Sequence, residues 1–105
     1  MDKNKLLNAL KNGCIEWQRH ALERMMERGI SRDDVKEVLK NGEIIEDYPN
    51  DKPYMSALYL GWVKGKPLHV VAALDFLTGR CFIITAYEPD LEHFEIDYKA
   101  RRYVL

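Results

Sequence analysis

The sequence predicts an α+β fold: N-terminal helices packed on a four-stranded antiparallel meander. Three observations carry this. The apolar period changes from helical to alternating near Gly42. The alternating runs after it are joined by turns too short for crossover helices, so neighbouring strands must run antiparallel. The chain has 105 residues, 47% hydrophobic and 31% charged, the size and balance of one globular domain spanning residues 1–105.

Along the chain, residues 2–11, "DKNKLLNALK", form a short amphipathic helix with Asp2 or Asn4 as cap, ended by Asn12 and Gly13. "WQRHALERMMERG", residues 17–29, reads as a second helix stopped by Gly29. In "ISRDDVKEVLKNG" Ser31 is the N-cap and Asp34 stands at the capping-box position. Val35, Val38 and Leu39 recur at helical spacing, and Gly42 closes that helix. Residues 43–48 are a strand ended by Pro49, followed by a polar loop over 50–54. Strands are predicted at 56–63, 67–74 and 80–87, joined by the turns "KGK" and "DFLTG". The last segment, "EPDLEHFEIDYKARRYVL", reads equally as a short helix, an edge strand or a tail ordered by a partner.

The last three strands are apolar on both faces. With simple registers, Leu58, Leu60, Trp62, Val71, Ala73, Phe82 and Ile84 share one face. Tyr59, Val63, Val70, Ala72, Ile83, Thr85 and Tyr87 share the other. A sheet buried on one side only would be polar on the other. Helices are expected to cover one face, and the first helix, the tail or a second protein the other.

A net charge of −1 excludes a global electrostatic pull toward nucleic acid or anionic membrane. No apolar run approaches the roughly 20 residues that span a bilayer, and the polar N-terminus does not resemble a secretory signal. A cytoplasmic location is expected. Cys14 and Cys81 are expected to be reduced, small and buried. No cysteine–histidine spacing suggests a metal, and no glycine-rich motif suggests a nucleotide cofactor.

The second helix carries the candidate chemistry. At about 100° per residue, Trp17, His20, Arg24 and Arg28 fall on one stripe, with Ala21 and Met25 beside it and Glu23 and Glu27 beyond. Arginine at such a border can bury its stem and present a planar fork to a phosphate or carboxylate. Histidine there can titrate near neutral pH. The plain alternative is a solvated helix edge with weak surface pairs. His69, in "PLHVVAAL", is either a core histidine with bonded ring nitrogens or a group facing the helix stripe. Thr85 and Tyr87, in "ITAYEP", are hydroxyls near a strand end that packing explains equally well.

A set of His, Arg, Thr and Tyr without a metal motif suits cleavage of RNA through its own 2′-hydroxyl, with an arginine steadying the charged transition state. It equally suits recognition of an anionic ligand. "HALERMMERGISRDDVKEVLKNGEIIEDYP", "PLHVV" and "ITAYEP" together resemble an uncharacterised bacterial family. That family is similar to the RelE-like and BrnT-like toxins of the barnase–EndoU–colicin–RelE group. The resemblance covers residues 15 to 102. It implies helices on a curved antiparallel sheet, RNA cleavage, and a YgiT/MqsA-like zinc-finger antitoxin as partner. The pattern falls on His20, Arg24, Arg28, Gly29, His69, Thr85 and Tyr87.

The expected function is therefore a toxin-like, metal-independent endoribonuclease. His20 would be general acid or base, and Arg24 and Arg28 would hold the scissile phosphate. His69 would be the second proton carrier, and Thr85 or Tyr87 would orient substrate. Because the chain is near neutral, RNA affinity would fall to a local patch of Arg24, Arg28, Arg101 and Arg102, extended by Lys99. The alternative is a non-catalytic module that docks a zinc-finger protein or a second copy through its sheet. A third reading is a small domain with no enzymatic site.

Overall fold

A computed structural model describes residues 1–102. In chain order its elements are α1 (Lys3–Lys11), β1 (Ile15–Trp17), α2 (Arg19–Arg28), α3 (Arg32–Asn41), β2 (Glu43–Tyr48), β3 (Met55–Val63), β4 (Lys66–Leu74) and β5 (Cys81–Tyr87). Local chemistry explains the helix ends. The Asp2 carboxylate accepts from the Lys5 amide and starts α1. Ser31 and Asp34 complete the expected capping box at the start of α3. Gly29 ends α2 with φ of 68°, a left-handed turn that glycine adopts without a Cβ clash.

The sheet has five strands in the order β1-β5-β4-β3-β2, not the four expected. Strands β2 to β5 pair antiparallel with their chain neighbours. The extra strand, β1, pairs parallel with β5, setting Ile15 opposite Cys81 and Trp17 opposite Ile83. Sequence reading folded Trp17 into the helix because three residues are too few to display a period. Gln18 is extended (φ −64°, ψ 139°), and α2 starts only at Arg19.

The helices cover one face. Leu6, Met25, Val35 and Val38 pack in one cluster with Tyr59, Val70 and Ile83. The contact between α3 and β3 is very close. A Cβ on Gly61 would stand 2.8 Å from Val38 Cγ2 and 2.9 Å from Val38 Cα. One on Gly42 would stand 2.4 Å from the Val38 carbonyl oxygen and 2.5 Å from that of Leu60. Gly42 has a negative φ of −80°. It therefore closes α3 by making room, not by turning left-handed.

Two bulges decide which side chains reach the other face. One lies between Ile44 and Glu46 on β2, and the second falls on β5, where Val71 pairs with Thr85 but Ala72 pairs with Ile83. Each adds one residue to its strand and shifts the alternation beyond it. Thr85 and Tyr87 thus join Leu58, Leu60 and His69, contrary to the simple register, while Ala86 turns to the helices. Glu43, Glu46 and Tyr48 point the same way as Leu60, Leu58 and Ser56, their cross-strand partners.

Residues 89–102 form neither a helix nor an edge strand. They fold as an irregular strap over this second face, closed on itself by the bridge Phe94–Arg101 and by amide bonds from Glu95 to Ala100 and from Arg102 to His93. The strap places Phe94 (3% exposed) and the Tyr98 carbonyl against His69. Residues 103–105, the aromatic end of that segment, lie outside the described residues. Cys81 is buried as expected and its thiol is pushed up to about 12 by desolvation. Cys14 is exposed, contrary to expectation, because it sits in the turn after Gly13 that leads from α1 into β1.

Because the Val38 backbone sits over Gly61, Gly61→Ala should destabilise the fold by roughly 1–3 kcal/mol, the usual range for overpacking. A drop in the urea midpoint with unchanged slope would show it, and a midpoint equal to wild type would refute the close approach.

Candidate functional site

Of the helical stripe, His20 lies in the first turn of α2, exposed, with no hydrogen-bond partner among the described residues. Arg24 is 47% exposed and pairs with Glu27 at 3.5 Å. Arg28 turns inward. Its Nη1 donates to the Ala86 carbonyl at 2.9 Å. That carbonyl belongs to the part of β5 beyond the reach of β1, whose pairing stops at Ile83. The guanidinium thus does for an open sheet edge what a missing neighbour strand would do. A cavity of about 190 Å³ between the α2–α3 corner and the β3–β4 turn is lined by Arg28, Lys64, Lys66, Asp34 and Glu88; His20 and Arg24 do not line it. The three residues share a stripe without converging on one hollow.

His69 does not face that stripe. It is fully buried on the opposite face of the sheet. Its Nε2 lies 2.7 Å from the Tyr98 carbonyl oxygen and its Nδ1 lies 3.2 Å from the Tyr87 hydroxyl. A carbonyl can only accept, so Nε2 carries the proton and Nδ1 accepts from Tyr87. Phe94 and Tyr87 stand edge-on to the ring, with centroids 4.6 and 5.2 Å away. Burial holds the imidazole's pKa below its ordinary value, against the raising effect of the Tyr98 carbonyl. With both nitrogens engaged and no exposed edge, His69 is a neutral core histidine, the plainer of its two sequence readings.

The C-terminal cations expected in the basic patch, Lys99, Arg101 and Arg102, are matched by carboxylates. Arg101 makes a two-pronged contact with Glu46, Nε at 2.7 Å and Nη2 at 2.9 Å. That contact, ahead of the Tyr48 hydroxyl bond, keeps the Glu46 carboxyl below its usual range despite partial burial. Lys99 meets Glu43 at 2.7 Å. Arg102 meets Glu95 at 3.3 Å and donates to the Phe94 carbonyl. Every cation of the expected C-terminal patch therefore serves to fix the strap.

Sequence reading missed Phe94 and Tyr98, which meet His69, and Glu46 and Tyr48, which anchor Arg101. For the strap's anchors the signal was the two glutamates of "EIIEDY", but only the bulge puts Glu43 and Glu46 on one side. The strap leaves part of the second face open. There a cleft of about 250 Å³ has an apolar floor of Val71, Ala73, Phe82 and Ile84, edged by Gln18 and Tyr54. Tyr54 stacks on Phe82 at 5.0 Å. Ile84, lifted by the bulge, is 38% exposed. For metal binding, Asp90, Glu92 and His93 bring their ligand atoms within 4.8 Å of one another. All three are exposed, and the Asp90 carboxylate is already taken by His93 Nδ1 and by the Glu92 and His93 amides. No helix among the described residues is long and apolar enough to cross a membrane.

A family model described as a domain of unknown function, DUF4258, matches residues 17–88. Comparison with curated proteins and with solved structures returns no match. The matched region runs from the end of β1 to just past β5. It leaves out α1 and the strap.

The bonding of His69 has a pH signature. Unfolded, the ring titrates near its ordinary value of about 6.5; folded, it resists protonation. The unfolded chain then binds more protons, so stability falls as pH drops below about 6.5. Thermal unfolding followed from about pH 7.5 to about 5.5 should show a falling Tm. His69→Leu should flatten that slope and lower Tm throughout, because the Tyr98 carbonyl loses its donor. An unchanged slope would mean that His69 titrates normally.

Proposed function

We propose, for a chain that belongs to the DUF4258 family of domains of unknown function, that it works by binding a protein partner through the second face of its sheet. The observation that carries this reading is the open part of that face: an apolar floor of Val71, Ala73, Phe82 and Ile84 beside the strap. Apolar floors edged by polar groups are what protein segments bury on docking. The site chemistry argues the same way. His69 is enclosed, and Lys99, Arg101 and Arg102 are paired with Glu43, Glu46 and Glu95. Those three cations are therefore taken at the second face, and a polyanion's affinity depends on unpaired Lys and Arg. The resemblance to RelE-like and BrnT-like proteins suggests the partner, a zinc-finger protein; a second copy of the chain is the other occupant.

One observation favours the ribonuclease reading. His20 is exposed, and Arg24 beside it makes only a long contact to Glu27. An RNA strand lying along α2 would meet both. That reading keeps His20 as proton carrier and gives His69, Thr85 and Tyr87 a structural part.

Reconstitution from purified components after cross-linking in the host separates the two. On the binding reading, one protein partner associates stoichiometrically. Ile84→Lys weakens it at least tenfold, about 1.4 kcal/mol, and His20→Ala leaves it unchanged. Cleavage of RNA that disappears in folded His20→Ala, with no effect of Ile84→Lys, would overturn the proposal in favour of the enzyme.

A further inference from the structure

The geometry points to the strap, residues 89–102, as a detachable occupant of a recognition groove: it covers the site where a partner protein's segment, an aromatic ring stacked against a guanidinium, binds in its place. This rests on the reading that the second face binds a protein, and it names the chemistry of that partner.

Four observations converge on it. First, the family match ends at Glu88, where the strap begins. The face beneath is nonetheless built for a cover: Leu58, Leu60 and His69 are all but fully buried and lie outside the cluster under the helices. Second, two ion pairs join the strap to the sheet. The acidic pair Glu43 and Glu46 sits on β2, within the family region, and the basic pair Lys99 and Arg101 on the strap. Third, the strap inserts little. Between residues 89 and 102 only Pro89 and Phe94 are buried, while Leu91 and Ile96 stay exposed. The remainder is held by exposed ion pairs, which contribute little each. Segments with few buried contacts open locally at low cost. Fourth, Tyr98 holds a left-handed φ of 58°, an uncommon conformation for a residue with a Cβ, and its carbonyl there meets His69. Detachment would release that residue.

The groove defines what replaces the strap. His69 Nε2–H at its floor demands an acceptor such as a backbone carbonyl. The space over the imidazole takes an aromatic ring edge-on, as Phe94 does at 4.6 Å. The Glu46 carboxylate takes a two-pronged guanidinium, which in the strap also lies over the Phe94 ring at 5.1 Å. Tyr98 in turn stands edge-on to Trp62, which stays 55% exposed at the groove's end. On the same face the groove runs beside the open cleft of Val71 and Phe82. A partner segment that lifts the strap would gain a continuous surface across the sheet.

The first test uses the native chain. Amide exchange should show Glu95 and Arg102, whose N–H groups bond within the strap, exchanging at least tenfold faster than the central amides of β3 and β4. Strap amides that exchange only with global unfolding would overturn the proposal. The second test uses the full chain carrying Phe94→Ala and Arg101→Glu, with a labelled synthetic peptide of residues 88–102 as probe. The peptide should bind this loosened chain at least tenfold more tightly than wild type, and a further Glu46→Lys substitution should abolish binding. No saturable binding to a folded loosened chain, or equal binding to wild type, would refute the groove. A dimer formed by exchanged straps would reassign its occupant to a second copy. If the double variant does not fold, Arg101→Glu alone must still speed exchange in the strap selectively. Loss of the partner through Ile84→Lys does not depend on strap opening, so the two readings fail separately.

Discussion

A sheet that is apolar on both faces has to be covered twice, and the rest of this structure depends on that requirement. The helices can reach only one side, because all three precede β2 and are linked to the sheet by short connections. Val38 over Gly61 seats α3 directly on β3, where any larger residue would push the two apart. The other side is left to the loop before β3, whose Tyr54 stacks on Phe82, and to the residues after β5, a segment with almost no regular structure. Hydrophobic burial supplies the reason for a cover but says nothing of its shape. The bulges and the Glu46–Arg101 pair give that cover its position.

The two bulges also reconcile this packing with the polar groups. Without the extra residue in β5, Tyr87 would point into the helices and the Nδ1 of His69 would lose its donor. Without the one in β2, Glu46 would face away from Arg101. A buried imidazole short of partners costs far more than one that is fully bonded. The same irregularity that breaks the ladder therefore completes the polar network beneath the strap.

Helix ends and antiparallel strand order were legible in the sequence because both arise from neighbours in the chain. Asp2, Ser31 with Asp34, and Gly29 are each recognisable from a few residues. The parallel edge β1 was not legible, since three residues hold no period and their partner is β5. Nor was the face of Thr85 and Tyr87, because one inserted residue inverts an alternation that otherwise reads cleanly. The charged stripe on α2 was correctly placed on a helix, yet spacing could not tell that Arg28 would turn to the Ala86 carbonyl while His20 stayed in solvent. The strap's role was hidden for a related reason. Its cations find carboxylates that are distant in sequence, and charge patterning along a single segment does not show such matches.

The parallel pairing of β1 with β5 also shapes how the chain can be made. During synthesis Ile15 leaves the ribosome well before Cys81, so the sheet's final edge closes only after β3 and β4 have emerged. Contacts so far apart in sequence are slow to form. In the interval the nascent chain displays β3 and β4 with an unpaired border, the kind of surface that chaperones shield and proteases test. A translation product halted before Cys81 would keep that border open.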